Sequence, residues 1–215
     1  MADRCLDSVP YDTDYQDVFW EDSDLRRWLN GTGDAAAPES DGVQVSEVTE
    51  QSGDAVYGPA SFMDMAFTEE EQQAIVTSDV ANANNYYFGT ACGSGTHDQV
   101  FILSEEEVFS SEDAVSYGFK PSDAIGDYGR RMVPTDYAIA RGAWQSETEE
   151  TAGIGFWLLR TNGYTEDNIV YVGEKGYLYN RGIPVTCGDA GIVPAVRIRL
   201  GAAPVTREED ISSGR

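Results

Sequence analysis

Gly155-Phe156-Trp157-Leu158-Leu159-Arg160 is followed by Asn168-Ile169-Val170-Tyr171-Val172-Gly173, Tyr177-Leu178-Tyr179 and Ile192–Leu200. All four segments are short and rich in aromatic and β-branched residues, and turn-forming residues separate them. They predict an antiparallel β-meander in the C-terminal third. Upstream the signals are helical. Leu25, Trp28 and Leu29 fall at i, i+3 and i+4, between polar Asp22-Ser23 and the stop Asn30-Gly31. Thr68-Glu69-Glu70-Glu71 has the form of a capping box and predicts a second helix ending near Val76. Ser104-Glu105-Glu106-Glu107 repeats the device directly after the apolar run Val100–Leu103, so a buried strand feeds a third helix. Pro134-Thr135-Asp136 opens a fourth, closed at Gly142. Short helices in the first two thirds and strands in the last, without βαβ alternation, predict an α+β class.

A length of 215 residues suits one domain, here residues 1–200, with an inserted loop at 32–60 rich in Gly, Ala, Ser, Asp and Glu, and a polar tail at 201–215. Thirty-eight acidic residues against 14 basic ones leave a formal charge of −24, which repels phosphate backbones and anionic lipid. Nucleic acid and membrane are therefore not expected partners. The start Met1-Ala2-Asp3-Arg4-Cys5 lacks the basic and apolar regions of a signal peptide, and no apolar run reaches bilayer length. The compartment is unknown on this evidence, with a surface location expected only within a longer protein.

The inventory of chemical groups is thin. His97 is the single histidine and reads as a solvent-facing loop residue. Cys5, Cys92 and Cys187 are dispersed, without metal-ligand spacing, and read as three buried thiols. No nucleophile elbow and no phosphate-binding glycine loop is present. Asp12, Asp14 and Asp17 lack the glycine and terminal glutamate of a calcium loop and read as a solvated acidic turn. No metal, cofactor or catalytic residue is expected. Trp20, Trp28, Trp144 and Trp157 read as core.

Four phrases stand in fixed order: Tyr15-Gln16-Asp17-Val18-Phe19-Trp20-Glu21-Asp22-Ser23-Asp24-Leu25-Arg26-Arg27-Trp28-Leu29-Asn30, Asp98-Gln99-Val100-Phe101-Ile102-Leu103-Ser104, Pro134-Thr135-Asp136-Tyr137-Ala138, and Phe156-Trp157-Leu158-Leu159-Arg160. The chain then runs through Gly191-Ile192-Val193-Pro194-Ala195-Val196-Arg197-Ile198. Together they resemble a bacterial domain-of-unknown-function family, numbered six-two-seven-three, with a W-E-x-S-x-L-R-x-W-L-N helix, a V-F-L-L-S strand, a W-W-L-R-S strand and a V-R-P-A-L terminus. Arg160-Thr161 and Val193-Pro194 depart from its Arg-Ser and Arg-Pro. The family in turn resembles the C-type-lectin and sulfatase-modifying-factor fold group, which implies a C-type-lectin-like fold and a β-rich ligand platform. The family begins with one or two strands upstream of the point at which Met1 falls, and in the fold group first and last strands are neighbours. The resemblance therefore implies a fragment whose segment Ile192–Leu200 presents an open edge.

Formylglycine-generating activity in the fold group needs paired cysteines in the final third, where Cys187 stands alone. The function expected is thus a non-catalytic recognition or display module of a bacterial or phage-related protein, with an unknown glycan, peptide or small ligand. The alternatives are a sulfatase-modifying-factor-like or acidic-pair enzyme, and a structural module of a larger surface protein. Ligand contacts in the fold group come from the C-terminal third, which places the candidate site at Asn162, Tyr164, Asp167, Asn168, Tyr171, Tyr177, Tyr179, Asn180 and Arg181. Tyr and Asn suit such a surface, one giving rigid amphipathic area and the other adaptable hydrogen bonds.

Overall fold

A computed structural model describes residues 1–31, 57, 60–109, 117–119 and 128–199. Most of the expected insert at 32–60 and all of the tail at 201–215 lie outside them. Five helices and nine strands are present among the described residues, giving an α+β arrangement. The helices are α1 Asp24–Asn30, α2 Phe62–Ala66, α3 Glu69–Ala74, α4 Glu105–Phe109 and α5 Asp136–Ala140. The strands are β1 Asp7–Ser8, β2 Ser78–Val80, β3 Thr96–Asp98, β4 Val100–Ile102, β5 Trp157–Asn162, β6 Asn168–Val172, β7 Leu178–Pro184, β8 Gly191–Ile192 and β9 Pro194–Val196. No described helix is long and apolar enough to cross a membrane.

The helix boundaries follow from capping. Ser23 accepts a hydrogen bond from the Arg26 amide, and Gly31 ends α1 in the left-handed conformation at φ 64°. Thr68 and Glu71 complete a reciprocal capping box on α3. Ser104 and Glu107 do the same ahead of α4, each side chain accepting from the other's amide. Thr135 caps α5.

The main sheet has the order β1-β8-β5-β6-β7. Three strands, β5, β6 and β7, form the expected antiparallel meander, with Leu158 opposite Tyr171 and Tyr171 opposite Tyr179. The fourth expected strand, Ile192–Leu200, does not continue it. Gly191–Ile192 pairs parallel to β5 on one side and antiparallel to β1 on the other, while Pro194–Val196 pairs with β4. The chain changes partner at Val193-Pro194, where proline lacks the amide a continuing ladder would use. This corrects the expectation of an open edge: Asp7 faces Ile192, and the Ala2 amide donates to the Pro194 carbonyl.

Strands are also not confined to the last third. β2 and β3 pair antiparallel, Ser78 opposite Asp98 and Val80 opposite Thr96. Their inward residues are largely polar: Ser78, Thr96 and Asp98 are buried while Asp79 and His97 face out. A polar-in pattern hides such strands from a hydropathy reading.

The core gathers Trp20, Trp28 and Trp157 with Leu25, Leu29, Phe101 and Leu158. Trp144 is a correction, being 41% exposed rather than buried. At the centre of the structure Asp98 accepts hydrogen bonds from Trp20 Nε1 (2.9 Å), Arg26 Nε (2.7 Å) and Thr96 Oγ1 (2.6 Å). Asn30 completes the joint. Its Oδ1 accepts from the Gln99 and Val100 amides, and its Nδ2 donates to the Val100 carbonyl. Trp20, Arg26 and Asn30 thus lock α1 onto the β3–β4 corner.

Asp12 corrects the reading of a solvated turn. It is buried and accepts from the Asp14 and Asp24 amides, and its carboxyl pKa is raised by that burial.

Candidate functional site

Asn162 ends β5 with its side chain fully buried. Its Nδ2 donates to the Val18 carbonyl (2.9 Å) and the Glu166 carbonyl (2.8 Å), and its own amide donates to Cys92 Sγ. Asn162 therefore exposes no side-chain surface. It ties the 163–167 turn to the N-terminal segment, because a buried amide must spend its donors inside the protein.

The turn rooted on Asn162 presents Tyr164, which is 58% exposed. The Tyr164 amide donates to the Arg181 carbonyl, and the Arg181 guanidinium lies 5.3 Å over the Tyr164 ring. Gly163 permits this closeness, since an added Cβ would fall 2.3 Å from the Arg181 carbonyl oxygen. Tyr164 and Arg181 are thus brought together.

Beside them runs the β2–β3 connection. Its residue Asn85 is 1% exposed, and its Nδ2 donates to the Asn162 carbonyl (2.9 Å) and the Asn180 carbonyl (3.3 Å). Asn85 Oδ1 accepts from the Tyr87 and Phe88 amides, forming an Asx turn, and the Gly89 amide closes onto the Asn85 carbonyl. One buried asparagine thereby fixes a loop that carries Tyr86 at 85%, Tyr87 at 62% and Phe88 at 38% exposure. Phe88 meets Tyr164 edge-to-face at 5.1 Å, and Tyr86 meets Tyr87 likewise at 5.3 Å. The Thr90 hydroxyl donates to the Tyr164 carbonyl.

The other expected positions divide. Asp167 and Asn168 belong to a local network: Thr165 and Tyr15 hydroxyls donate to the Asp167 carboxylate and hold its pKa down, and Asn168 Nδ2 donates to both Thr165 and Asp167. Tyr171 and Tyr179 stack face-to-face across β6 and β7 at 4.6 Å, continuing through Phe156 to Trp144 in a separate row. Tyr179 also covers Gly173, where its ring occupies the place of a Cβ. Tyr177 is half-buried in the β6–β7 turn, and Asn180 contributes its carbonyl to Asn85. Of the nine candidates, only Tyr164 and Arg181 take part in the Tyr86–Phe88 surface through their side chains. The sequence reading missed Tyr86, Tyr87 and Phe88. Three consecutive aromatics between Asn85 and Gly89 match neither a period of 2 nor one of 3.6, so no single face can bury them all.

A cleft of about 520 Å³ lies elsewhere, lined by Arg160, Glu107, Tyr117, Asp79 and Arg197 among others. Its floor is a strut. Arg160 donates to Glu107, to Asn82 and to the Ile102 and Ala81 carbonyls, while Glu107 also accepts from the Ser104 amide and the Tyr117 hydroxyl. These two charges are committed within the chain. His97 sits in β3 rather than a loop, facing solvent with Asp79 at 2.6 Å across the pair. The cysteines are free thiols. Cys5 and Cys92 are buried as expected, whereas Cys187 is half-buried; desolvation pushes the Cys5 and Cys187 thiols up to about 12.

No curated protein and no solved structure matches the chain. Residues 1–200 match the family described as Domain of unknown function (DUF6273), and the span includes α1, the β3–β4 corner and β5, the elements whose residues form the joints above. The chain belongs to that family.

Proposed function

We propose that this chain is a non-catalytic recognition module of a bacterial or phage-related protein, binding a glycan, peptide or small ligand through Tyr86, Tyr87, Phe88 and Tyr164. One observation carries the reading: four exposed aromatic rings stand on turns anchored by fully or almost fully buried asparagines. Contiguous exposed apolar surface is uncommon on a soluble domain and marks contact sites. Anchoring favours binding because a loop ordered beforehand loses little entropy when a ligand arrives. Tyrosine adds a polar rim to each ring, so such a surface takes amphipathic ligands.

The C-type-lectin-like scaffold is the finer fold reading we attach to this function. It is supported by the N-terminal segment lying against the last two strands, β1 pairing with β8 and the Ala2 amide donating to the Pro194 carbonyl of β9, since neighbouring first and last strands characterise that fold group.

The test is a mixed glycan and peptide array probed with the wild type and with a Tyr86→Ser, Tyr87→Ser, Phe88→Ser variant. Substitutions at exposed positions shift stability by only about 0.5 kcal/mol each, so the variant stays folded. Signals present for the wild type and lost in the variant are the expected result. Identical profiles for the two proteins would overturn the reading.

A further inference from the structure

We infer that the partner of the Tyr86–Phe88 surface is a cationic, arginine-bearing peptide segment; this rests on the recognition reading above. The first ground is charge. A protein of formal charge −24 attracts cations and repels anions over long range, and acidic residues also stand near the rings beside Arg181. A Glu105 carboxylate oxygen lies 3.5 Å from the Tyr86 amide, and Glu166 and Asp167 occupy the turn that carries Tyr164. The second ground is the rings. An aromatic face is the negative end of a quadrupole and attracts guanidinium in preference to ammonium, because guanidinium is planar and weakly hydrated.

The third ground lies in the chain itself. Arg181 already seats its guanidinium over Tyr164 at 5.3 Å, on the ring that touches Phe88. The same contact is open to a partner at Tyr86 and Tyr87, whose rings are the two most exposed of the group. Acidic ligands fail the first ground. Neutral sugars satisfy neither the first nor the third, although they would stack on the same rings.

Isothermal titration of the full chain with hexa-arginine, hexa-lysine and maltohexaose, at 0.05 M and 0.5 M NaCl, tests the proposal. Hexa-arginine is expected to bind several-fold tighter than hexa-lysine. A Tyr86→Ser, Tyr87→Ser variant should bind it about tenfold more weakly, the loss expected for two exposed cation–π contacts. That ratio should persist at high salt, where the diffuse charge attraction is screened. Equal binding of hexa-arginine by wild type and variant would reduce the effect to bulk charge and overturn the proposal. Loop-dependent binding of maltohexaose with none of hexa-arginine would overturn it too, yet leave the recognition reading standing. Only an array without any loop-dependent signal removes both.

Discussion

Replacing Asn85 by aspartate changes one donor group to an acceptor and nearly nothing else in size, so it isolates what the Asn85 amide does. In the native protein Nδ2 donates to the carbonyls of Asn162 and Asn180, and Oδ1 accepts from the Tyr87 and Phe88 amides. Aspartate keeps both acceptor contacts and loses both donations. Each lost hydrogen bond between buried groups costs about 1 kcal/mol, so the neutral loss is about 2 kcal/mol. An ionised carboxylate adjacent to two carbonyl oxygens adds repulsion and desolvation, raising the total to about 3–4 kcal/mol at neutral pH. Burial and the carbonyl oxygens raise the pKa of the introduced acid above its unfolded value. Its penalty therefore shrinks as pH falls, because a neutral carboxyl regains one donor. Asn85→Ala, which brings no charge but loses the two acceptor contacts as well, should cost about 4 kcal/mol at either pH. Urea unfolding followed by circular dichroism at pH 7.5 and pH 5 reads these values, and hydrogen exchange at residues 85–90 reports the released loop. An Asn85→Asp protein as stable as the wild type at pH 7.5 would refute the donor role, and with it the account of how the aromatic loop is held.

Two further outcomes follow from the interior. Asp98→Ala removes three hydrogen bonds and strands the Arg26 guanidinium against a buried site, so it should cost about 3–5 kcal/mol, a large share of a typical domain's stability, visible as a lowered urea midpoint. Stability should also rise on mild acidification. Burial raises the carboxyl pKa values of Asp7, Asp12 and Glu105, so the native state holds protons that the unfolded chain releases. Their contribution is complete below the unfolded carboxylate range, about pH 4, and is lost as pH rises through the higher folded values. Hydrogen bonds from Thr68 and Thr165 lower Glu71 and Asp167, whose contribution is present above that range and lost as pH falls through their folded values. Thermal unfolding should accordingly show a higher Tm at about pH 5 than at pH 8 and a decline below about pH 3; a Tm that climbs steadily to pH 8 would contradict this.

Local chemistry made part of the fold legible. Caps are interactions within four residues, so Ser23, Thr68, Ser104 and Thr135 announce their helices without reference to the rest of the chain. The strands β5 and β6 declare themselves because β5 opens on Trp157-Leu158-Leu159, β6 is apolar but for Asn168, and both are too short to be confused with long helices. The motif phrases were legible as a family mark but not as roles. Trp20, Arg26, Asn30 and Asp98 form the joint between α1 and the β3–β4 corner, whereas Tyr86, Tyr87, Phe88 and Tyr164 lie outside every one of those phrases.

Of the side chains around the Tyr86–Phe88 loop, the sequence reading reached only Tyr164 and Arg181. Asn162 and Tyr164 are near neighbours in sequence, yet one is sealed in the core and the other exposed, and composition cannot separate them. Asn85 looks like any turn asparagine until the ends of β5 and β7 arrive beside it.

Thus the amino-acid sequence by itself determined the starts of α1, α3, α4 and α5, the β5–β7 meander, the α+β class and the strong negative charge, all of which depend on neighbours along the chain or on counting. Tertiary structure alone decided that Pro194–Val196 leaves the sheet for β4, that Ser78, Thr96 and Asp98 point inward, and that Tyr86–Phe88 stand next to Tyr164. These depend on contacts between residues distant in the chain, 20 positions apart for Ser78 and Asp98 and 76 for Phe88 and Tyr164. Whether a polar group is buried depends on the partner that reaches it, and that partner comes from elsewhere in the chain.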